Sequence, residues 1–215
     1  MSAIVLYLAL VAFASAAPQL DLVAFMPWLQ SNECVDGVNN VIKAADAKVG
    51  LPIQFKELEA WVYDKDGNPS CYNGRAMLTA PGKVKAVKGI VTVVSPSNLK
   101  SSSNVKFTVK KATIGTICNY GKSESPIVPD DKCNKELSAL LPEKIHKIFS
   151  TPGTYDFIKM AEAMGIPTTF DIPTIDVPIR GKATGDWQST AYLFSDDQEV
   201  AALKLPSNTE WLNIY

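Results

Sequence analysis

In 215 residues the chain has one histidine, His146, and four cysteines, none of them in a CxxC pair. That count argues against a zinc site built on cysteine and histidine. GxSxG, HExxH and P-loop patterns are absent, so no hydrolase, metalloprotease or nucleotide signature stands out. His146 sits in IHKIFS with no Ser or Cys motif beside it, and reads as an ordinary surface or half-buried imidazole rather than a general base. Neither sign of charge is in excess. The formal net charge is −1, which leaves no basic excess to recognise nucleic acid. Lys83, Lys85 and Lys88 read as solvent-facing decoration of one strand. No N-x-S/T sequon occurs, which favours an extracellular over a lysosomal destination reached by a sugar tag. There is no internal repeat and no linker-like segment.

What the chain does have begins with an address. Ile4 to Phe13 is an apolar core, and Ala14-Ser15-Ala16 is a small-x-small cleavage pattern, so residues 1–16 are expected to be a signal peptide. The run is short of the roughly 20 residues a bilayer span needs. Residues 17–215 are then expected to form one secreted domain with a sizeable core. In that compartment four cysteines imply two disulfides, with three connectivities possible. Local closure joins Cys118 to Cys133 across a Pro/Gly/Ser/Asp-rich loop, worth about 3 kcal/mol in the chain-entropy model. Cys34 is left with Cys71.

Strand patterns dominate. FKELEAWVY (Phe55–Tyr63) alternates, with Leu58, Ala60 and Val62 on one face and Glu57 and Glu59 on the other. DKDGNPS follows as a turn; its calcium-loop flavour fails on spacing and on the missing distal Glu. Lys83–Val94 is a second strand, with Gly89 marking a bulge. NVKFTVKK places Val105, Phe107 and Val109 inward. Strands at Phe170–Ile179, Trp187–Phe194 and Val200–Leu205 follow, the last two as a hairpin through SDDQE. Between Cys133 and Phe170 the period changes. Leu137, Leu140, Leu141, Ile145 and Ile148 recur at helical spacing, with Asp130 or Asp131 as N-cap and Pro142 splitting the run. FIKMAEAMG fits a helix capped by Gly165, while GTYDF fits a strand. The expected fold is mainly β: an antiparallel β-cup or β-sandwich with an apolar cavity and a short helical insertion.

The pattern suits a container better than a catalyst. Two-layer β proteins hold a lipid when their sheets splay instead of close-packing. Pro173 and Pro178 would keep one strand from pairing fully. Met160 and Met164 suit a deformable apolar wall. Periodicity alone does not separate a filled core from a lined pocket. Three function classes follow: a lipid carrier, a secreted β-sandwich interaction module without a pocket, and a hydrolase with an unrecognised site.

Several short motifs bear on that choice. They are Trp28 with Asn32-Glu33-Cys34 and Gly37, Pro81-Gly82-Lys83-Val84, Cys118 and Cys133 leading into Leu137, Leu140 and Leu141, and Pro152-Gly153-Thr154-Tyr155. Phe170, Pro173, Asp176 and Pro178 ahead of Thr184-Gly185-Asp186-Trp187 complete the set. Together they resemble the ML-type family of secreted and lysosomal lipid-recognition proteins, to which the ganglioside activators belong. This chain has fewer cysteines than those activators. The late hairpin cysteine that would partner Cys34 is replaced near Ala201–Ala202, and the segment ending in Cys71 resembles an insertion.

The resemblance implies a non-enzymatic β-cup without cofactor or metal. It would take one lipid (glycolipid, phospholipid or fatty-acyl chain) from a membrane and transfer it or present it, for instance to a lipid-processing hydrolase. The expected cavity lining is Phe107, Leu141, Phe157, Phe170, Ile172, Trp187 and Leu193. The expected membrane lip combines the 179–186 loop, with Arg180 and Lys182 meeting anionic headgroups, and Met160, Met164 and Ile166.

Overall fold

The computed structural model describes residues 34–99, 102–137, 143–173 and 184–215. The expected signal peptide, Trp28, Leu140, Leu141, Pro142, Asp176, Pro178, Arg180 and Lys182 lie outside them. Among the described residues fourteen strands form one continuous sheet that folds over into two layers, with three short helices beside it. A mainly β fold with a small helical insertion is therefore what this sequence builds.

The first layer starts with β1 (Val41–Asp46) and β2 (Ile53–Asp64), a hairpin with Ile42 opposite Ala60 and Ala44 opposite Leu58. After β3 (Cys71–Tyr72) and β4 (Arg75–Leu78), the long β5 (Gly82–Val93) returns antiparallel to β2. Phe55 and Leu58 both point inward although three residues apart. So do Ala86 and Gly89 on β5. Strict alternation forbids that. The register accommodates it with one extra residue on β2, where Glu57 takes φ +52°, and a compensating extra residue on β5. The bulge expected at Gly89 is thus carried by the facing strand.

The second layer is built on β6 (Ser103–Lys111), extended by β7 (Gly115–Asn119), β8 (Lys122–Ser123) and β9 (Asn134–Glu136). Helix α1 (Asp130–Cys133) precedes β9, and α2 (Glu143–Phe149) follows it. This corrects the helical reading that began at Asp130. Asp130 does not cap α1; its carboxylate accepts from the Ser123 backbone N–H at 2.7 Å. Asn134–Glu136 leaves the helix to pair with Asn104–Lys106, because a free edge of β6 offers the backbone a ladder. The two readings of 153–164 are both realised in succession. Strand β10 (Gly153–Asp156) runs into α3 (Phe157–Ala163), whose first turn is capped by Asp156 accepting from Lys159 N–H at 3.0 Å.

β11 (Thr169–Ile172) then rejoins the outer edge of β5, so β10 and β11 occupy one edge in tandem with α3 looping out between them. Finally β12 (Gly185–Ser195) and β13 (Gln198–Leu205) form the expected hairpin. Its two-residue turn, Asp196-Asp197, has φ of +48° and +62°, the handedness that matches strand twist in tight hairpins. β14 (Leu212–Ile214) pairs with the start of β12 and runs parallel to β4. That parallel pair departs from the all-antiparallel expectation. β1 joins the layers: Val41 to Ala44 pair with β2, while Ala45 and Asp46 pair with β13. Disulfides connect Cys34 to Cys71 and Cys118 to Cys133.

Candidate functional site

The inner faces of the two layers share one apolar core. Antiparallel partners lie on the same face, so the register gives its rows directly. On the second layer these are Val105–Leu193–Ala201, Phe107–Ala191–Leu203, Val109–Ser189–Leu205 and Lys111–Trp187–Leu212. On the first, Ile42–Ala60–Ala86 is followed by Val62–Val84–Phe170 and then by Gly82–Ile172. Small side chains therefore cluster mid-layer: Ala60 with Ala86 on one side, and Ser189, Ala191 and Ala201 on the other.

The expected lining residues fall into two groups. Phe107, Leu193 and Phe157 are fully buried about midway along the strands. Phe157 reaches there from α3, beside Gly89 and Leu58. Phe170 (half-buried), Ile172 and Trp187 (both buried) sit toward one end, on either side of the 174–183 connection. Met160, Met164 and Ile166 are half-buried and packed against the core. They flank the outer edge of β5 instead of the end where Trp187 lies. Ile114 and Tyr215 are two exposed apolar side chains near that end. Ile114 donates its N–H to the Lys111 carbonyl at 3.1 Å. Tyr215 follows Ile214, the partner of Gly185. Sequence reasoning passed over both, because a single apolar residue in a turn or at a terminus has no period.

It also passed over Lys111. The period of two that places Val105, Phe107 and Val109 inward carries on to Lys111, which is 3% exposed. Its Nζ stands 5.2 Å from the centre of the Trp187 ring. Burial pushes its pKa down, since an apolar wall disfavours the charged form. Gly185, at φ +123°, allows the close approach: a Cβ there would meet Lys111 Cε at 3.2 Å. Next door, Asp186 points to the other face. It accepts from Arg75 Nη2 at 2.8 Å and from Asn213 Nδ2 at 3.1 Å, and its carbonyl accepts from Ala112 N–H at 2.9 Å. That clamp ties β4, β6, β12 and β14 together where Trp187 and Lys111 meet.

No group of three or more metal-ligating side chains gathers among the described residues. His146 is buried on α2, which corrects its reading as a surface or half-buried imidazole. Among the described residues, Lys111 and Trp187 close one end of the apolar core.

No protein-family model and no curated protein matches the chain. Among solved structures it is similar to a Niemann-Pick type C2 protein from Japanese carpenter ant. The identity is 9% and the TM-score 0.35, with 79% of this chain and 97% of that chain covered. A likeness of that size carries no functional argument, which falls to the residues themselves.

Proposed function

We propose that the protein is a secreted, non-catalytic carrier that holds one lipid between its two β layers and exchanges it with a membrane. In this reading residues 17–215 act as a single lipid-recognition cup released from the 1–16 leader. The observation that carries it is the small-residue centre of the inner faces. Packed sheets stand roughly 10 Å apart and are normally bridged by interdigitating side chains. Ala60, Ala86, Ser189, Ala191 and Ala201 are short of that reach, and in this reading the width they free takes a hydrocarbon chain walled by Phe107, Leu193 and Phe157. Trp187, Phe170 and Ile172 frame the end through which it enters. Ile114 and Tyr215 meet the membrane there, the charges of Arg180 and Lys182 add attraction to an anionic surface, and Met160, Met164 and Ile166 supply a flexible side wall. Glycolipid, phospholipid and fatty-acyl chains all fit this chemistry, and a lipid-processing hydrolase is the natural recipient.

Native mass spectrometry of the secreted protein, paired with binding of the neutral apolar dye N-phenylnaphthylamine, tests the reading. A co-purified lipid that the dye displaces is the expected result. A chain that carries no lipid and binds no dye is an interaction module with a filled core.

A further inference from the structure

We propose that the outer face of the second layer binds a sulfated polysaccharide of the glycosaminoglycan kind, an interaction separate from the carrier reading above. The residues of β6 that alternate with Val105, Phe107 and Val109 point outward, and the register fixes what stands beside them. Lys106 lies opposite Tyr192, which lies opposite Ala202. Thr108, Thr190 and Lys204 form the next row, and Lys110 with Gln188 lies on the far side of it. A lysine on a sheet is stabilised by an acid directly across from it. The first layer uses that pairing: Lys43 and Lys88 stand opposite Glu59, and Lys83 opposite Asp171. The second layer does not. Lys106, Lys110 and Lys204 face an aromatic ring, an amide and a hydroxyl, and among the described residues none of the three forms an ion pair.

The flanking acids are engaged or set back. Glu199 is held by Lys48 Nζ at 2.6 Å and by the Tyr120 hydroxyl at 2.6 Å. Asp186 is held by Arg75 Nη2 at 2.8 Å, and Glu136 stands a row beyond Lys106, opposite Asn104. Lys106 has its ammonium 4.1 Å from the centre of the Phe194 ring, a contact that positions the cation and leaves its charge in place. Three like charges therefore surround the Thr108–Thr190 pair. Lys106 and Lys110 are about 14 Å apart along β6, at roughly 3.4 Å per residue. That span suits an extended chain with acid groups on successive units better than one small anion.

The rest of the face selects among polyanions. Thr108, Thr190 and Gln188 are half-buried and polar, and Ala45 and Ala202 are small. These rows hold no large aliphatic side chain to insert into a membrane or to anchor a protein interface. Nucleic-acid bases need open ring faces. The Tyr120 ring is already packed against Tyr192 and Phe194, with the Lys48 and Lys106 ammoniums 5.6 and 5.8 Å from its centre. A hydrated sulfated sugar needs only spaced ammoniums and hydroxyls, the electrostatic footprint of heparin-like ligands.

The test is calorimetric binding of a heparin hexasaccharide to wild type and to two triple variants. One carries Lys106→Gln, Lys110→Gln and Lys204→Gln; the other carries Lys43→Gln, Lys83→Gln and Lys88→Gln. Both lose the same charge, from opposite layers, so only location differs. The second-layer variant should lose about tenfold or more in affinity and the first-layer variant less than about twofold. Wild-type affinity should fall with salt at a log–log slope of about 2, as three neutralised lysines require. If Lys106→Gln disturbs the Phe194 contact and the fold, Lys110→Glu alone reads the loss from an exposed side chain. Equal losses in the two triple variants, or no heparin binding at low salt, overturn the face. Desulfated heparin or a single-stranded oligonucleotide binding as tightly as heparin overturns the sulfated glycan. Loss of phosphatidylserine-vesicle binding in the second-layer variant, with heparin binding unchanged, assigns the face to a membrane and overturns it too. Heparin binding and N-phenylnaphthylamine binding are read separately, so this face and the carrier can each fail without the other.

Discussion

Gly89 of β5 faces Phe157 so closely that a Cβ at position 89 would stand 3.2 Å from Phe157 Cβ and 2.6 Å from Leu58 Cδ2. The helix that interrupts the sheet edge therefore docks onto backbone. Gly89→Ala forces Leu58 to shift and crowds Phe157, an overpacking that costs about 1–3 kcal/mol. Urea unfolding with the disulfides intact measures it, and an unchanged midpoint would mean that α3 gives way freely.

The two disulfides differ in what they close. Cys118 and Cys133 are separated by 15 residues and both are buried, whereas Cys34 and Cys71 are separated by 37. Replacing Cys118 and Cys133 together with Ala should cost about 3 kcal/mol on the chain-entropy argument. Because β7 and β9 flank β6 on the same edge, the loss should appear first as faster amide exchange in β7 to β9. Uniform exchange loss across the chain would contradict that local role.

Much of this architecture is legible in the chain. Val105, Phe107 and Val109, or Leu58, Ala60 and Val62, announce their strands because one face is buried and one is wet. The SDDQE turn announces its hairpin. The 130–149 segment misleads because Leu137, Ile145 and Ile148 happen to recur at helical intervals, while the pairing of Asn134–Glu136 is set by an unpaired edge of β6 far away in sequence. β1 and β14 are short, and their partners (β13 for the last two residues of β1, β4 for β14) are non-local. No window of sequence contains that information. Of the site, the large apolar residues were readable from periodicity. Lys111 was readable too, had the alternation been followed one step further into a charge.

Tyr120 offers a spectroscopic check on the outer face. It holds φ +49°, donates its hydroxyl to Glu199 Oε2 at 2.6 Å, and packs at a tilt of 58° against Tyr192 with ring centroids 4.6 Å apart. Burial first, then the hydrogen bond and the Glu199 charge, push its pKa up to about 12. A near-UV titration should therefore find Tyr120 still protonated after an ordinary tyrosine, at about 10, has ionised, with Tyr63 also delayed by burial and by Asp36. The folded state prefers the neutral phenol, so its contribution is complete below about pH 10 and is lost as pH rises toward 12. Glu199→Gln should bring the late ionisation down; a titration indifferent to Glu199 would assign the shift to burial alone.

The end bearing Ile114 and Tyr215 should be the one that meets membranes. The two are 56% and 67% exposed, and both adjoin the β6–β12–β14 corner. Full burial of such a side chain is worth about 1.5–3 kcal/mol, so partial insertion should be worth several-fold in affinity. Ile114→Asp with Tyr215→Ser should reduce co-sedimentation with phosphatidylserine vesicles several-fold. Arg180→Ala with Lys182→Ala should do so only at low salt, because salt screens the attraction of cations to an anionic surface. Vesicle binding lost instead through Val49→Asp, at the β1–β2 turn on the opposite end, would invert the orientation.

Ala191 gives the sharpest test of whether the interior is a lined hollow or a filled core. It lies at the centre of the second layer, between Phe107 and Leu203 in register and nearly inaccessible from outside. If the space before it is ligand space, Ala191→Leu occupies that space with three more carbons. Binding of N-phenylnaphthylamine and of long-chain lipids should then fall about tenfold or more, since each methylene displaced from an apolar wall forfeits about 0.8 kcal/mol. Stability of the lipid-free protein should change by less than about 1 kcal/mol, because nothing is pushed aside. If the space is already filled, the same substitution overpacks the core and costs about 1–3 kcal/mol in urea, with no binding to lose. The two outcomes move different observables, so one variant measured both ways decides between carrier and module.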